Sequence, residues 1–559
     1  MFTLSGYRIT EKLYEGAQSL VYRSIRQSDG LPVVLKVLKE ADPTPERVAW
    51  FRREYDLLRY LDLPGIAKVY GLEQDQRRLL MVLEDFGGES LARLRLAGQL
   101  ELERFLELAV TIAEIVARIH GAQVIHKDLN PANILLNPTT GEVKIIDFGI
   151  STQLSREVLP FQDPKVLEGT LPYLSPEQTG RMNRAIDYRS DFYALGVTFY
   201  ELLSGRLPFV SQDPLELIHS HIALSPPPLL QLRPDVPPLV ADLVNRLMAK
   251  NAEDRYLSAE GLAADLRHCL EQWRRQGQIE SFPLGQTERH AQLVFPQKLY
   301  GREAEYQQLL QGFERASQGS LELMLVGGYA GVGKSALIHE LHRPITARRG
   351  CFIAGKYEQY KQDIPYFAIA QAFGGWCEQV LTASEAELQG WQERLGSTLG
   401  QNAQVLIEVI PPLQVILGPQ PPVPSVGSRE AQNRFHFLFG QFLRVIAQPQ
   451  RPLVVFLDDL QWADVASLQL LQALLRDPEL RHLYVIGAYR DNEILSGTGD
   501  AVHPLALTIE ALRQEAGTLH QIHLDNLNPP DLLAWLADTL NLSPERCVSL
   551  AALVEAKTQ

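Results

Sequence analysis

The sequence predicts a multidomain protein in which a two-part α+β unit precedes an α/β unit, followed by the start of a helical extension. The chain has 559 residues, more than a single domain of roughly 100–200 residues accounts for. Near the start, runs such as "SLVYRSIRQSDG" alternate apolar and polar residues and break at Asp-Gly, as β-hairpins do. After residue 298 apolar strand patterns alternate with helical patterns, which is typical of a parallel sheet.

Composition limits the classes of partner. The formal net charge is −14, and no long Lys/Arg run occurs, which argues against nucleic acid or an anionic membrane as the main partner. The four cysteines are scattered and form no CxxC, so we expect reduced thiols and a cytoplasmic location. No apolar run approaches the roughly 18 residues that a membrane span needs.

The first domain is predicted over residues 1–270, with a strand-rich N-lobe at 1–88 and a mainly helical C-lobe at 89–270. Between the strands "LPVVLKVLKE" and "RRLLMVLEDFGG" lies "PERVAWFRREYDLLRYL", a helical pattern with proline near its start. Residues 271–297 are polar without a sustained period, which indicates a linker.

The second domain is predicted over residues 298–500. Its expected strands are "LELMLVG", "RPLVVFLDDL" and "HLYVIGAYR", separated by helical patterns as in a parallel α/β sheet. The proline-rich stretch "PPLQVILGPQPPVP" is predicted to be an irregular surface loop. Residues 501–559 are predicted to begin a helical lid that this chain carries only in part.

The first unit contains the groups that phosphoryl transfer requires, namely a positioned hydroxyl, magnesium and cations on the phosphates. Lys36 lies in the strand "VVLKVL", where it would point at nucleotide phosphates, and Glu54 on the next helix would pair with it. In "HKDLNPAN", Asp128 would orient the hydroxyl and Asn133 would bind magnesium. Asp147 in "IIDFG" would hold the bridging magnesium.

The nucleotide itself would contact two further segments. "EDF", after the strand at 79–83, is predicted to be the hinge that holds the adenine, through Glu84 and Phe86. The turn "YEGAQSLV" would cover the phosphates, with Gly16, Ser19 and Val21 as ATP-binding residues.

Over residues 7 to about 270 this order of motifs resembles the eukaryotic-type Ser/Thr protein kinase family. "GTLPYLSPE" resembles the end of an activation segment with Glu177 in the Ala-Pro-Glu position, and Arg255 stands where the usual partner of that glutamate lies. Asp191 in "SDFYALG" matches the aspartate that braces the catalytic loop. Thr170 in "GTLPY" stands where Ser/Thr kinases keep a threonine beside the catalytic aspartate, so the resemblance favours Ser/Thr over Tyr substrates. The resemblance implies a bilobal kinase fold, a signalling phosphotransferase, and ATP and Mg²⁺ as cofactors.

Three features depart from that family. Only Gly16 remains of the usual glycines, with Tyr14 and Ser19 at the flanking positions. Lys127 replaces an arginine and lacks its planar fork. Asn130 replaces a lysine, and an amide cannot neutralise the charge of a transferring phosphoryl group. Large bacterial multi-sensor kinases, which the chain resembles, tend to carry the same Lys and Asn. Two alternatives stay open: a pseudokinase that docks and regulates the ATPase, and a scaffold with vestigial nucleotide sites.

The second unit contains "GYAGVGKS", which fits G-x-x-x-x-G-K-S/T in full between a strand and a helix. Backbone N–H groups of such a loop, here with Gly328, Gly331 and Gly333, cradle phosphates at the positive end of the helix. Lys334 would reach the β and γ phosphates, and Ser335 would bind magnesium.

The strand "PLVVFLDDLQWAD" supplies the acidic groups of this second site. Asp458 would hold magnesium through water, Asp459 would orient the attacking water, and Arg490 would sense the γ-phosphate. With "LYGREAEYQQLL" and "SREAQNRFHFLF", these motifs resemble the predicted-ATPase branch of AAA-like STAND NTPases, over residues 298 to about 525. The resemblance implies a P-loop nucleotide switch with slow hydrolysis, open to self-association, and we expect it to gate the kinase through the linker at 271–297.

Overall fold

The structure is a computed structural model that describes most of the chain. The described ranges are 4–16, 19–40, 43–75, 78–153, 169–180, 186–286, 298–381, 385–424, 426–495, 503–515, 519–540 and 542–558. Part of the predicted linker, residues 287–297, therefore lies outside the described residues. Its described part differs from the prediction: residues 271–276 end the helix Ala259–Gln276, and Ile279, Phe282 and Leu284 pack on the C-lobe core because they are apolar.

The N-lobe is an antiparallel sheet with the strand order β1-β2-β3-β5-β4. Its strands are β1 (Tyr7–Glu15), β2 (Ser19–Arg26), β3 (Pro32–Leu38), β4 (Val69–Asp75) and β5 (Arg78–Glu84). Helix α1 (Pro45–Tyr60) connects β3 to β4. It begins where the sequence predicts, because the Thr44 hydroxyl accepts the Arg47 N–H at 3.4 Å and proline fits the first turn.

The C-lobe is mainly helical around short strands. Its strands are β6 (Glu89–Ser90), β7 (Val124–Ile125), β8 (Ile134–Leu136), β9 (Val143–Ile145) and β10 (Thr152–Gln153). Its helices are α2 (Leu102–Gly121), α3 (Arg189–Ser204), α4 (Pro214–Ala223), α5 (Leu229–Leu232), α6 (Pro238–Leu247) and α7 (Ala259–Gln276). The predicted bilobal α+β fold is confirmed.

The second unit has a parallel sheet with the strand order β12-β13-β14-β11-β15. Its strands are β11 (Leu321–Gly328), β12 (Cys351–Lys356), β13 (Leu453–Asp458), β14 (Leu483–Ala488) and β15 (Leu519–Leu524). Successive side chains of β11 enter two separate apolar cores, Leu323 and Leu325 on one face and Met324 and Val326 on the other. A sheet buried on both faces explains the continuous apolar runs in these strands.

Helices cover both faces of this sheet and follow it along the chain. They are α8 (Glu303–Ser317), α9 (Lys334–His339), α10 (His342–Ala347), α11 (Phe367–Leu381), α12 (Glu385–Leu399), α13 (Ala403–Ile407), α14 (Leu413–Leu417), α15 (Ser428–Ile446), α16 (Val465–Leu475), α17 (Asp491–Leu495), α18 (Pro504–Glu515), α19 (Pro529–Leu540) and α20 (Pro544–Thr558). The predicted α/β fold is confirmed.

Two details of the second unit differ from the expectations. Strand β15 lies in the sheet beside β11, so the sheet continues past residue 500, where the sequence placed the start of the helical lid. Within the proline-rich stretch, α14 buries Leu413 and Ile416 in the core. The prediction of an irregular surface loop is wrong there, because these two apolar side chains, one turn apart, share a face that packs inward.

The two units meet where α4 of the C-lobe lies against α10 of the second unit. Nε2 of His219 lies 3.4 Å from the carbonyl oxygen of Ala347, and Glu216 lies 3.8 Å from Arg349. Helix α4 also contacts the turn Leu171–Tyr173, directly after Thr170. Across the described ranges, no helix is long and apolar enough to cross a membrane.

Candidate active sites

The first site is organised around the ammonium group of Lys36. Its Nζ lies 2.6 Å from Oε1 of Glu54 on α1 and 2.9 Å from Oδ1 of Asp147. Burial alone would lower the pKa of Lys36, but the two carboxylates outweigh it and the pKa is raised. The ammonium in turn lowers the pKa of Asp147. The predicted pairing of Lys36 with Glu54 is therefore present. Lys36 and Asp147 favour their charged forms, whereas burial raises the pKa of Glu54 despite the nearby ammonium.

A buried carboxylate, that of Asp191, fixes the loop at residues 126–133. Asp191 on α3 accepts the backbone N–H of His126 at 2.9 Å and that of Lys127 at 2.7 Å, and also contacts Nε2 of His120 at 2.8 Å. Lys127 has a positive φ of 69°, which costs a residue with a side chain about 1–3 kcal/mol and persists only where the surroundings enforce it. Asp191 thus holds the turn that presents Asp128.

The Asp128 carboxylate accepts three N–H donors. Oδ1 accepts the backbone N–H of Thr170 at 2.9 Å and Nδ2 of Asn130 at 3.0 Å. Oδ2 accepts Nδ2 of Asn133 at 2.9 Å. These donors fix the orientation of the Asp128 carboxylate, which lines the cavity described below. Burial raises the pKa of Asp128.

Asn130 is part of this network rather than a bystander. Besides Asp128, its amide nitrogen lies 3.2 Å from Oγ1 of Thr170, and its Oδ1 accepts the backbone N–H of Ala132 at 2.9 Å. An amide can bond Asp128 and the Ala132 backbone at the same time, since it carries both a donor and an acceptor. From the sequence, an amide at this position can donate a hydrogen bond but cannot neutralise charge. Its partner Thr170 could not be predicted, because the contact spans 40 residues of chain.

The end of the activation segment is locked to the C-lobe. Glu177 accepts Nη1 and Nη2 of Arg255 at 2.6 and 2.9 Å, and Ser190 donates to the same carboxylate at 2.7 Å. Burial would raise the pKa of Glu177, but Arg255 outweighs it and the pKa is lowered. The predicted partnership of the two residues is confirmed.

A cavity of about 400 Å³ lies between the two lobes' candidate catalytic side chains. Lys36, Glu54, Asp128, Asn133 and Asp147 all line it. The predicted nucleotide contacts in its lining are Ser19, Val21, Glu84 and Phe86.

Two features of the cavity escaped sequence reasoning. Gly16 is absent from the lining, and its N–H instead closes the β1–β2 turn on the Ser19 carbonyl at 2.9 Å. At the cavity wall, Arg23 bonds Asp85 at 2.9 Å and Glu89 at 3.1 Å. These partners lie more than sixty residues away, so no local motif could have indicated them.

The second site is the loop between β11 and α9. Gly328, Gly331 and Gly333 have φ values of 149°, 79° and 98°, which residues with a side chain rarely adopt. Nζ of Lys334 bends back over the loop and donates to the carbonyls of Gly328 and Tyr329, both at 2.8 Å. Burial lowers the pKa of Lys334, and the Arg490 charge adds to this.

Side chains that fit a magnesium ion face each other beside this loop. Oγ of Ser335 lies 3.1 Å from Oδ2 of Asp458, and hydroxyl with carboxylate oxygens are ligands that Mg²⁺ accepts together with phosphates and water. Burial raises the pKa of Asp458, and neighbouring Asp459 adds to this. A bound cation would therefore stabilise the ionised carboxylate. Within the described residues no cluster of three or more His, Cys, Asp or Glu forms an all-protein metal site.

The remaining predicted residues of this site contact each other. Nε of Arg490 lies 3.2 Å from Oδ1 of Asp459. Asp459 is 5% exposed and has a φ of 54°. The structure therefore pairs the predicted phosphate sensor with the predicted water-orienting carboxylate.

Comparison with known families assigns both domains. Residues 7–266 match the protein kinase domain family, and residues 298–486 match the AAA ATPase domain family. The chain joins a protein kinase domain to an AAA ATPase domain.

Individual relatives extend this assignment. The chain is 33% identical over 463 residues to hybrid signal transduction histidine kinase G of Dictyostelium discoideum, a match covering 67% of this chain and 13% of that protein. The kinase domain is 35% identical over 281 residues to serine/threonine-protein kinase PknA of Mycobacterium tuberculosis, covering 49% of this chain and 63% of the relative. PrkC of Bacillus subtilis is 30% identical, with coverage of 47% and 40%. The chain thus spans less than two thirds of each relative.

Proposed function

We propose that this chain is an ATP-dependent serine/threonine protein kinase whose AAA domain acts as a nucleotide switch in signal transduction. The observation that carries the kinase activity is the Lys36–Glu54–Asp147 arrangement in the same cavity as Asp128. Lys36 would bind nucleotide phosphates while Glu54 keeps it in place. Asp128 would accept the proton of a substrate Ser or Thr hydroxyl and align it for in-line attack.

The magnesium sites are part of this proposal. Asn133 donates its amide N–H to Asp128, which leaves its Oδ1 for a cation, and Asp147 supplies a carboxylate in the same cavity. Bound Mg²⁺ would neutralise charge on the phosphates. In the AAA domain, Ser335 and Asp458 form the corresponding pair.

A direct test compares phosphate transfer from radiolabelled ATP to a generic protein substrate by the wild type and by Asp128→Asn. The variant keeps the shape of the side chain and loses the proton acceptor. We expect transfer by the wild type and a loss of at least about a hundredfold in the variant, as removal of a positioned base predicts. Transfer that is absent from both proteins, or equal in both, would refute the kinase proposal.

The second candidate is a pseudokinase that docks and regulates the ATPase. Asn130 favours it, since no cation replaces the usual lysine at that position, and so does the loop that keeps a single glycine. Tight Mg-ATP binding without Asp128-dependent transfer would support this candidate. Failure of both domains to bind nucleotide would instead support the vestigial scaffold.

The switch proposal gains support from the contact between the domains. Helix α10 follows the P-loop helix α9, and it packs on α4, which touches the turn after Thr170. Nucleotide-dependent movement at Lys334 would therefore have a packed route to the kinase site. Kinase activity that is unchanged by Lys334→Ala would count against this coupling.

We further propose that the kinase domain extends to Gly285, because Ile279, Phe282 and Leu284 pack on the C-lobe core and the Gly285 N–H donates to Asp265. We also propose that the AAA domain extends to the end of β15, because that strand pairs within the sheet. A cytoplasmic location and self-association through the AAA domain remain predictions. Sedimentation of the whole chain with ATP and with ADP tests the second of these.

A further inference from the structure

The segment "DLQW", residues 459–462, surrounds the Arg490 side chain. Oδ1 of Asp459 accepts Nε of Arg490 at 3.2 Å and Nε2 of Gln461 at 2.9 Å. Oε1 of Gln461 accepts the backbone N–H of Arg490 at 3.1 Å. The guanidinium carbon lies 4.8 Å from the ring centre of Trp462. A carboxylate, an amide and an aromatic face thus hold one arginine.

This arrangement joins the ends of two neighbouring strands. Asp459 directly follows β13, and Arg490 lies just after β14. Gln461 is 3% exposed, so its hydrogen bonds are shielded from water and costly to leave unmade. The turn after β13 therefore holds Arg490 from a second segment, in addition to the contact with Glu493 in its own segment.

Asp459 has little capacity left for another role. Oδ1 already accepts two donors, and Oδ2 lies 3.3 Å from Nζ of Lys356. Both carboxylate oxygens of Asp459 are therefore already engaged by protein donors. Arg490, in contrast, uses Nε for Asp459 and Nη1 for Glu493, and a guanidinium with five donors retains N–H groups for a phosphate oxygen.

We propose that Asp459, Gln461 and Trp462 are positioning residues that hold Arg490 where it contacts the γ-phosphate, and so let the AAA domain distinguish ATP from ADP. This inference rests on the proposed nucleotide switch and assigns its sensor. It gives Asp459 a role different from orienting the attacking water. Gln461 and Trp462 act through Arg490, which both contact.

The test measures the affinities of the full chain for fluorescent ATP and ADP analogues with Mg²⁺. All variants carry Lys36→Met to weaken the kinase site, and addition of Lys334→Ala defines the signal that does not come from the P-loop. We expect Arg490→Ala and Gln461→Leu each to reduce the preference for ATP over ADP by about tenfold, the value of a hydrogen bond to a charged group.

Three comparisons make the outcome decisive. The double variant Gln461→Leu/Arg490→Ala should lose no more than either single variant, since both act through one contact. Trp462→Phe, which keeps an aromatic face, should retain the preference that Trp462→Leu lowers. Arg490→Lys keeps the positive charge and removes the planar guanidinium, so it tests whether that group is needed. It leaves the backbone N–H that donates to buried Gln461.

The contrary result is equally specific. If Asp459→Asn stops hydrolysis while the preference for ATP is unchanged in this variant and in Gln461→Leu, Asp459 orients water and the proposal is wrong. Absence of any binding that depends on Lys334 would instead refute the nucleotide switch itself, before its sensor is considered.

Discussion

Asn130 provides the sharpest test of whether the kinase site works as its geometry indicates. Its amide nitrogen donates to Oδ1 of Asp128 at 3.0 Å, and its amide oxygen accepts the Ala132 N–H. Asn130→Ala removes both bonds. Asn130→Asp keeps the acceptor but places a second carboxylate against Asp128, where like charge raises the pKa of both groups.

The magnitude follows from the lost bond. A hydrogen bond to a charged group contributes about 1.5–3 kcal/mol, which corresponds to about 10- to 100-fold in rate if the bond is needed in the transition state. We therefore expect Asn130→Ala to lower kcat by that factor. Asn130→Asp should lower kcat further. KM for ATP should change little in either variant, because Asn130 contacts Asp128, which orients the substrate hydroxyl rather than the nucleotide.

The assay is the initial rate of phosphate transfer as a function of ATP concentration, with thermal unfolding measured on each protein. Asn251→Ala is the matched control, since it removes an amide–carboxylate bond to Asp254 of 3.1 Å away from the catalytic loop. Wild-type kcat in folded Asn130→Ala would refute the positioning role. It would also mean that Asn130 does not take over the function of the lysine that is usual at this position.

Three further predictions concern stability and the second site. Glu177→Leu should destabilise the kinase domain by about 3–5 kcal/mol in denaturant unfolding, because it leaves Arg255 buried and unpaired; the double variant Glu177→Leu/Arg255→Met should be less damaged, and a fully stable single variant would contradict this. Burial lowers the pKa of His221 to about 3, so between pH 6.5 and 3 the unfolded chain binds a proton that the fold excludes, and stability should fall on acidification by up to about 1.4 kcal/mol per pH unit. His221→Asn should flatten that slope, and an unchanged slope would exclude this histidine as its source. Lys334→Ala should abolish ATP hydrolysis that persists in an Asp128→Asn background, and removal of Mg²⁺ by EDTA should abolish both activities; hydrolysis that survives Lys334→Ala would place it elsewhere.

The sequence alone determined the two domain classes and the residues that depend on local backbone geometry. Lys36 on a strand, Asp128 and Asn133 in one loop, and the P-loop glycines are each specified within a few residues, since a turn or a strand end fixes their direction. Their identities and order therefore sufficed to predict both candidate sites.

Tertiary structure decided the features that join distant segments. The edge strands β12 and β15 escaped prediction, because a short strand is defined by its pairing rather than by its own pattern. Asn130 acquired its role through Thr170, and Arg490 through the turn that contains Gln461. Such contacts depend on packing between elements, which composition and periodicity do not encode. Only the folded chain therefore shows that these amides contact Asp128 and Arg490, the groups for which we propose chemical roles.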